Sequence, residues 1–174
     1  MEKIYYADKS VYPTSEVAVL QILKKYFGME NEKIFRGDNG KPYLVDTPLF
    51  FSVSHTQDKL FIAFSDENVG IDAENANRKT EYRSILKRFT SAERKQILSK
   101  EDFLKSWTAK ESAVKWLGGT LARDLFKLEF LGDRMKYGEV ELPAIFTLLQ
   151  IDECIVTVCS ERDFRNAEII QISI

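Results

Sequence analysis

Two carboxylates placed two residues apart, Asp72 and Glu74, close the apolar run Val69-Gly70-Ile71-Asp72-Ala73-Glu74. On a strand that spacing puts both on one face. Two like charges about 4 Å apart repel by roughly 4 kcal/mol at an effective dielectric of about 20, so a fold that keeps both ionised near its core needs a cation. Hard oxygen ligands with no Cys or His close in sequence favour magnesium, which takes one or two carboxylates and leaves its other positions to water and substrate phosphate. The alternative is a strand end whose acids face solvent, the default for so short a motif. A second stretch bears on the choice. Residues 103–115 read as one helix without Gly or Pro, stopped by Gly118-Gly119. Trp107, Glu111 and Lys115 recur at i, i+4 and i+8 and share a stripe of it. Taken alone, a Glu with a Lys one turn later is a surface ion pair contributing a few tenths of a kcal/mol.

The pairing of V-G-I-D-x-E with F-x-x-x-W-x-x-K-E-S-x-x-K about thirty residues later resembles the 4′-phosphopantetheinyl transferase superfamily. The resemblance extends outward. Gly40-Lys41-Pro42 and Phe51-Ser52-Val53-Ser54-His55-Thr56 are similar to the family's G-K-P and F-N-x-S-H-S segments, and Arg88-Phe89 with Glu93 is similar to its R-F-F-x-x-x-E segment. Together they span Gly40 to Gly119, with Thr56 keeping the hydroxyl of the family's commoner Ser.

The resemblance implies transfer of the 4′-phosphopantetheine group from coenzyme A to a serine hydroxyl of an apo acyl or peptidyl carrier protein, with release of adenosine 3′,5′-bisphosphate. It implies Mg2+ held by Asp72, Glu74 and Glu111, with Lys115 on the developing phosphoryl charge and Lys110 as a further helper. Glu111 is also placed to take the serine proton, a role that competes with metal ligation. Lys41, Ser54, His55 and Lys115 would contact the coenzyme, His55 near the 3′-phosphate, where an adjacent anion favours its protonation. Without the resemblance, this single histidine at a strand end reads as a residue that satisfies turn hydrogen bonds. Two rivals remain: another magnesium-dependent phosphoryl-transfer enzyme, such as a phosphatase or nuclease, and a non-catalytic module that keeps a coenzyme-like pocket.

The elements that must hold these residues are legible as an α+β order. A strand is expected at residues 2–7 and a helix at 14–27, opened by Pro13-Thr14-Ser15, closed by Gly28 and buried along Val17, Leu20, Leu23 and Phe27. Residues 30–41 are polar and read as a loop. Strands at 49–54, 60–64 and 69–74 have short connections that suggest an antiparallel meander. A helix is expected at 80–89, and Thr90-Ser91-Ala92-Glu93 is a capping box opening another. Segments 125–131, 136–142, 144–150, 154–160 and 168–174 are strand-rich and show no chemistry of their own.

The order of elements suggests one domain, residues 1–174, made of two similar helix-plus-antiparallel-sheet halves, about 1–76 and 77–174, and the resemblance implies that this is a transferase domain whose halves form an intramolecular pseudodimer. That arrangement is Sfp-like, whereas the short holo-acyl-carrier-protein synthases trimerise. Because about 68 residues precede Val69 and carry the segments a neighbouring subunit would otherwise supply, a monomer is expected.

Hydrophobic residues at 44% and charged residues at 30% exclude a disordered or membrane-spanning chain, and a net charge of −2 predicts no generic nucleic-acid binding. No apolar run reaches about 18 residues and Met1-Glu2-Lys3 shows no signal-peptide pattern, so a cytoplasmic location is the default. Between Arg78 and Lys105 the chain is locally basic, either a solvated face or a docking face for an acidic carrier protein. Cys154 and Cys159, five apart in a β-rich segment, point to opposite faces and read as core thiols.

Overall fold

The computed structural model describes residues 1–172. The chain is α+β, and the alternation of side chains along its strands builds four layers. β1 (Lys3–Asp8), β4 (Phe50–His55), β5 (Lys59–Ser65) and β12 (Glu168–Gln171) form one sheet in the order β12-β1-β5-β4. Of its pairings, β1 with β5 and β4 with β5 are antiparallel, and β1 with β12 is parallel. β6 (Val69–Asn75), β10 (Ile145–Ile151) and β11 (Cys154–Ser160) form a second, antiparallel sheet in the order β10-β11-β6.

α1 (Ser15–Phe27) lies on the outer face of the first sheet, against Tyr5, Leu60, Ile62 and Phe64. The intervening residues Ile4, Phe61 and Ala63 turn inward and meet Val69, Ile71, Ala73, Val156 and Val158 of the second sheet. The long α4 (Lys100–Leu117) covers the other side of that second sheet through Ala109, Ala113 and Val114. Period-two alternation therefore sends Asp72 and Glu74 to the α4 side of β6 while Ile71 and Ala73 fill the inter-sheet core. The same rule separates the cysteines: Cys154 packs between the sheets, and Cys159 packs beneath α4.

α1 begins at Thr14, whose hydroxyl accepts from the Val17 amide, and ends on Gly28 in the left-handed conformation. Its buried stripe is Ala18, Val19, Ile22 and Leu23; Val17 and Phe27 are half-buried and Leu20 faces outward. Of the expected stripe, Leu23 is buried and Phe27 packs against the core, while Ala18, Val19 and Ile22 fill the sheet-facing side in place of Val17 and Leu20. Residues 30–41 are more ordered than a loop: β2 (Ile34–Arg36) pairs with β3 (Pro42–Leu44) as a hairpin.

The expected meander stops after two strands. β5 is already flanked by β1 and β4, so β6 finds no free edge there and crosses to β11. Reciprocally, β12 leaves the region of β10 and β11 to join β1. The sequences α1-β4-β5-β6 and α4-β10-β11-β12 thus each build a hairpin beside a helix and send a third strand to the other sheet.

Between them lie α2 (Tyr82–Leu86), shorter than the 80–89 expected, and α3 (Ser91–Gln96), opened by the Thr90–Glu93 capping box. α5 (Leu121–Asp124) leads into a small sheet of β7 (Leu128–Leu131), β8 (Arg134–Tyr137) and β9 (Val140–Glu141). The expected final strand at 168–174 ends by Gln171, and positions 173 and 174 lie outside the described residues.

Candidate active site

The site forms where α4 crosses β6, and Gly70 permits the crossing. A Cβ at Gly70 would stand 2.1 Å from the Ser112 carbonyl oxygen and 2.6 Å from the Trp116 amide, so the helix backbone rests directly on the strand. That contact brings the next turns of α4 down onto Asp72. Lys115 Nζ donates to Asp72 Oδ1 at 2.8 Å and to the Ile71 carbonyl at 2.9 Å. On the far side Ser54 Oγ donates to the same Oδ1 at 2.9 Å and accepts from the Ala73 amide at 3.1 Å. Ser52 Oγ accepts from the Ile71 amide, so two serines of β4 satisfy the free edge of β6 and tie the sheets together at this point. Across β11, Thr157 stands opposite Asp72 and its hydroxyl meets Thr108 of α4 at 2.7 Å, which fixes the helix against the strand.

One oxygen is left over. Asp72 Oδ2 is buried with no hydrogen-bond partner. Glu111 stands within hydrogen-bonding reach of Asp72 in a desolvated position; burial and the neighbouring Asp72 charge push its pKa up to about 8, Lys115 opposing and Glu74 adding to the rise. Two ionised carboxylates cannot donate to each other, so the pair requires either a shared proton or a cation. An unpartnered buried oxygen beside a carboxyl that resists ionisation is a hard-oxygen donor set, and a hard divalent cation fits it.

The three expected ligands do not all converge. Glu74 shares the α4 side of β6 with Asp72, but its carboxylate pairs with Arg78. Among the described residues no three His, Cys, Asp or Glu side chains are gathered as a metal site would gather them. Asp72 and Glu111 are therefore the pair in place, and two carboxylates suffice for magnesium that also binds substrate phosphate.

A cleft of about 290 Å3 opens beside this centre, at the small end of the range for small-molecule sites. Lys115 and His55 form one end, and Arg36, Asn39, Gly40 and Lys41 with Gly118-Gly119 form the rim. Asn39 Nδ2 donates to the Gly118 carbonyl at 2.8 Å and closes the rim between the β2–β3 hairpin and the end of α4. Burial and the nearby ammonium groups of Lys9 and Lys115 hold His55 below the ordinary imidazole value, so its ring is neutral at pH 7 until an anion approaches.

Two expected coenzyme contacts are employed otherwise. Lys41 Nζ donates to Asn68 Oδ1 at 2.6 Å and to the carbonyls of Val69 and Trp116 at 3.3 Å, and burial lowers its pKa to about 8. It clamps the start of β6 to the end of α4, with its stem along the cleft wall. Ser54 is buried, and its hydroxyl is spent on Asp72 and Ala73.

Lys110 is placed away from the cleft. One residue from Glu111 along the helix, it turns roughly 100° away. Its ammonium meets Glu93 at 2.9 and 3.2 Å, with the two side chains 1% and 0% exposed. It also lies 4.0 Å from the centre of the Phe89 ring, and burial lowers its pKa. It belongs to the core beneath α3, not to the cleft. Trp107, on the expected stripe, stacks on Phe103.

Arg36, Asn39, Ser52 and Asn68 also belong to the site or its frame, beyond the residues expected from the sequence. Arg36 and Asn39 stood in a polar stretch beside Gly40-Lys41, a signal of a phosphate-approaching loop. Ser52 and Asn68 had none, since their role is to cap backbone groups across chain-distant contacts.

A family model described as the 4′-phosphopantetheinyl transferase superfamily matches residues 68–168, which include β6, the whole of α4 and β11. The chain belongs to the 4′-phosphopantetheinyl transferase superfamily. Among curated proteins it is similar to the 4′-phosphopantetheinyl transferase AcpT of Salmonella typhi, 33% identical over 93 residues that cover 48% of each chain. It is equally similar to AcpT of Escherichia coli O157:H7, 33% identical over 97 residues covering 51% of this chain and 50% of that one. The chain spans about half the length of the curated relatives it matches. As a member of this superfamily, the chain places the acidic motif of β6 and the K-E-S-x-x-K motif of α4 against each other at the Gly70 crossing.

Proposed function

We propose that this transferase moves the 4′-phosphopantetheine group from coenzyme A to a serine of an apo carrier protein and releases adenosine 3′,5′-bisphosphate. The observation that carries the reading is the Asp72–Glu111 pair, with Asp72 Oδ2 unpartnered, beside a cleft lined by Lys115 and His55. Magnesium, held by Asp72 and Glu111 with Glu74 in reach, would supply Lewis-acid stabilisation of charge on the pyrophosphate oxygens.

The serine oxygen attacks the β-phosphorus of coenzyme A, a new P–O bond forms, and the bond to the bridging oxygen breaks with its electron pair leaving on adenosine 3′,5′-bisphosphate. Lys115 lies on the cleft wall and offers an ammonium to the oxygens that gain charge. Glu111, with a pKa near 8, is matched to accepting the serine proton, directly or through a water. As a ligand it would be a weaker base, so the two roles draw on the same oxygens. His55 lines the same cleft as Lys115, and there the 3′-phosphate would raise its pKa and gain a charged hydrogen bond.

The carrier protein would meet the face formed by α2, α3 and the turn before α4. Arg83, Lys87 and Lys95 are exposed there and form no ion pair among the described residues, and Leu98 beside them is 86% exposed. An acidic surface with an apolar centre would complement them. The same reading treats residues 1–76 and 77–174 as two halves of one transferase domain that works as a monomer in the cytoplasm, since one chain supplies both walls of the cleft. No helix among the described residues is long and apolar enough to cross a membrane.

Mass spectrometry of apo carrier proteins incubated with coenzyme A and magnesium tests the proposal. A phosphopantetheine increment on the carrier, absent with Asp72→Ala, is expected. Turnover of simple phosphate esters with no carrier modification would replace it with a different phosphoryl-transfer activity.

A further inference from the structure

The third carboxylate of the motif is turned away from the other two, and the residue that turns it is Arg78. After β6 the chain folds back in a short turn: the Asn77 amide donates to Asn75 Oδ1 at 2.8 Å and the Arg78 amide to the Asn75 carbonyl at 3.0 Å. This turn returns Arg78 over Glu74, and Arg78 Nη1 donates to Glu74 Oε1. Glu74 is only 14% exposed as a side chain while Arg78 is 48% exposed, so the carboxylate sits by the centre and the guanidinium sits at the mouth of a groove. That groove is lined by His55, Gln57, Asp58, Asn75 and Lys79.

Glu74 is close enough to the centre for its charge to oppose ionisation of Glu111. Asp72 and Glu74 already share one side of β6, so rotation of the Glu74 side chain alone would carry its carboxylate toward the pair without any backbone movement. What holds it back is the ion pair. We propose that Arg78 is a positioning residue that competes with the divalent cation for Glu74, so that metal affinity is set by whether the guanidinium is on the carboxylate or drawn into the groove.

The inference rests on the transferase reading in one respect, that Asp72 and Glu111 hold magnesium. Given that, the two engagements of Glu74 compete: the side-chain rotamer that meets Arg78 is not the one that turns the carboxylate toward Asp72 and Glu111. Any anion that takes Arg78 from the groove side must then tighten the metal, and by reciprocity the metal must tighten that anion by the same factor.

The test is magnesium binding to the protein without coenzyme or carrier, followed by titration calorimetry, with manganese as a second ion followed by its electron paramagnetic resonance. A half-exposed ion pair contributes at most about 1 kcal/mol, so Arg78→Ala should tighten the cation about two- to five-fold. Arg78→Lys should restore most of the wild-type value. Lys79→Ala removes a neighbouring cation that does not touch Glu74 and should shift affinity much less. In a Glu74→Gln background the effect of Arg78→Ala should vanish, which isolates the pairwise coupling. Equal tightening by Lys79→Ala and Arg78→Ala, or an Arg78→Ala effect that persists in Glu74→Gln, would assign the change to net charge and overturn the competition. Loss of all binding in Asp72→Asn, with Arg78→Ala unchanged from wild type, would leave the metal site standing and remove the role of Arg78. Identical binding by wild type and Asp72→Asn would remove both.

Discussion

Lys110 and Glu111 are neighbours on one helix, the first buried and the second half-buried, and they end in opposite electrostatic conditions. Around Lys110 every group is answered. Glu93 accepts from Lys110 with both oxygens, from the Phe130 amide with Oε1 and from the Thr90 amide with Oε2, and the ammonium rests on the Phe89 ring. Around Glu111 the account is short by one positive charge: Asp72 Oδ2 has no donor and Glu111 is pushed toward its neutral form. A buried polar network that is complete fixes α3, α4 and β7 in place. One that is incomplete by a single cation is available to bind one. The difference between the two sites on this helix is thus first a difference in satisfaction, with Lys110 fully buried and Glu111 half-buried.

Removing Lys110 should therefore damage the fold and removing the charge of Glu111 should not. Lys110→Met leaves the Glu93 carboxylate buried and uncompensated, and breaking a buried pair in this way costs about 3–5 kcal/mol. Denaturant unfolding should show that loss. Glu111→Gln should unfold at the same or higher denaturant concentration and lose transfer by at least about a hundred-fold, the scale of removing a group from a preorganised charge-stabilising site. Equal destabilisation by the two substitutions would erase the distinction.

The same contrast has a pH signature. The folded pKa of Glu111, about 8, lies above the ordinary carboxylate value of 4.5, so the native state holds a proton that the unfolded chain has released. Its contribution to stability is full below about pH 4.5 and is lost as pH rises through about 8, at no more than about 1.4 kcal/mol per pH unit. Thermal unfolding of the metal-free protein should show this decline, and Glu111→Gln should abolish it. Magnesium binds the ionised form, so the rise in Tm it produces should grow from pH 6 to pH 8. A Tm increment independent of pH would place the cation elsewhere.

How much of this the sequence disclosed follows from which contacts are local. Asp72 and Glu74 on one side of a strand, Glu111 and Lys115 one turn apart, Thr14 and Gly28 as caps and Thr90–Glu93 as a capping box are all set by spacing along the chain, and the structure has them. The superfamily was legible for the same reason, because its motifs are short and ordered. What spacing does not carry is pairing. That β6 deserts β5 for β11 depends on β1 having taken the free edge, a contact about sixty residues distant. That Lys110 faces Glu93 while Glu111 faces Asp72 follows from the rotational setting of α4, fixed by Gly70. Lys41 and Ser54 were expected to be free donors, and each is consumed by a partner remote in sequence.

His55 extends the comparison to the coenzyme. Its ring donates to no protein group among the hydrogen bonds formed by the described residues, and burial, with the nearby ammonium groups of Lys9 and Lys115, lowers its pKa, so an approaching anion would favour its charged form. A charged hydrogen bond to a 3′-phosphate contributes roughly 1.5–3 kcal/mol, so His55→Ala should lower kcat/KM for coenzyme A by about ten- to a hundred-fold while dephospho-coenzyme A, which lacks that phosphate, is used nearly as before. Equal losses on both substrates would return His55 to a structural role.

The smallest expected effect lies on the basic face, where satisfied and unsatisfied cations stand side by side. Arg94 donates to the carbonyls of Phe89 and Lys87, closing the turn between α2 and α3, and so is already employed by the fold. Lys87 is exposed and has no anionic partner among the described residues. If completeness separates structure from function here as it does on α4, reversing the two charges should divide the consequences. Arg94→Glu should lower unfolding stability by about 1 kcal/mol, since it removes a hydrogen bond from a charged donor. Lys87→Glu should leave stability unchanged within about 0.5 kcal/mol. It should instead raise the apparent KM for an acidic carrier a few-fold at low salt, an increase that fades as ionic strength shortens the screening length below about 10 Å. Carrier KM and unfolding midpoint, measured for both variants from low to high salt, decide it. A Lys87→Glu enzyme whose carrier dependence matches wild type at every salt concentration would show that the carrier docks elsewhere, and that an unpaired cation on this surface is only solvated.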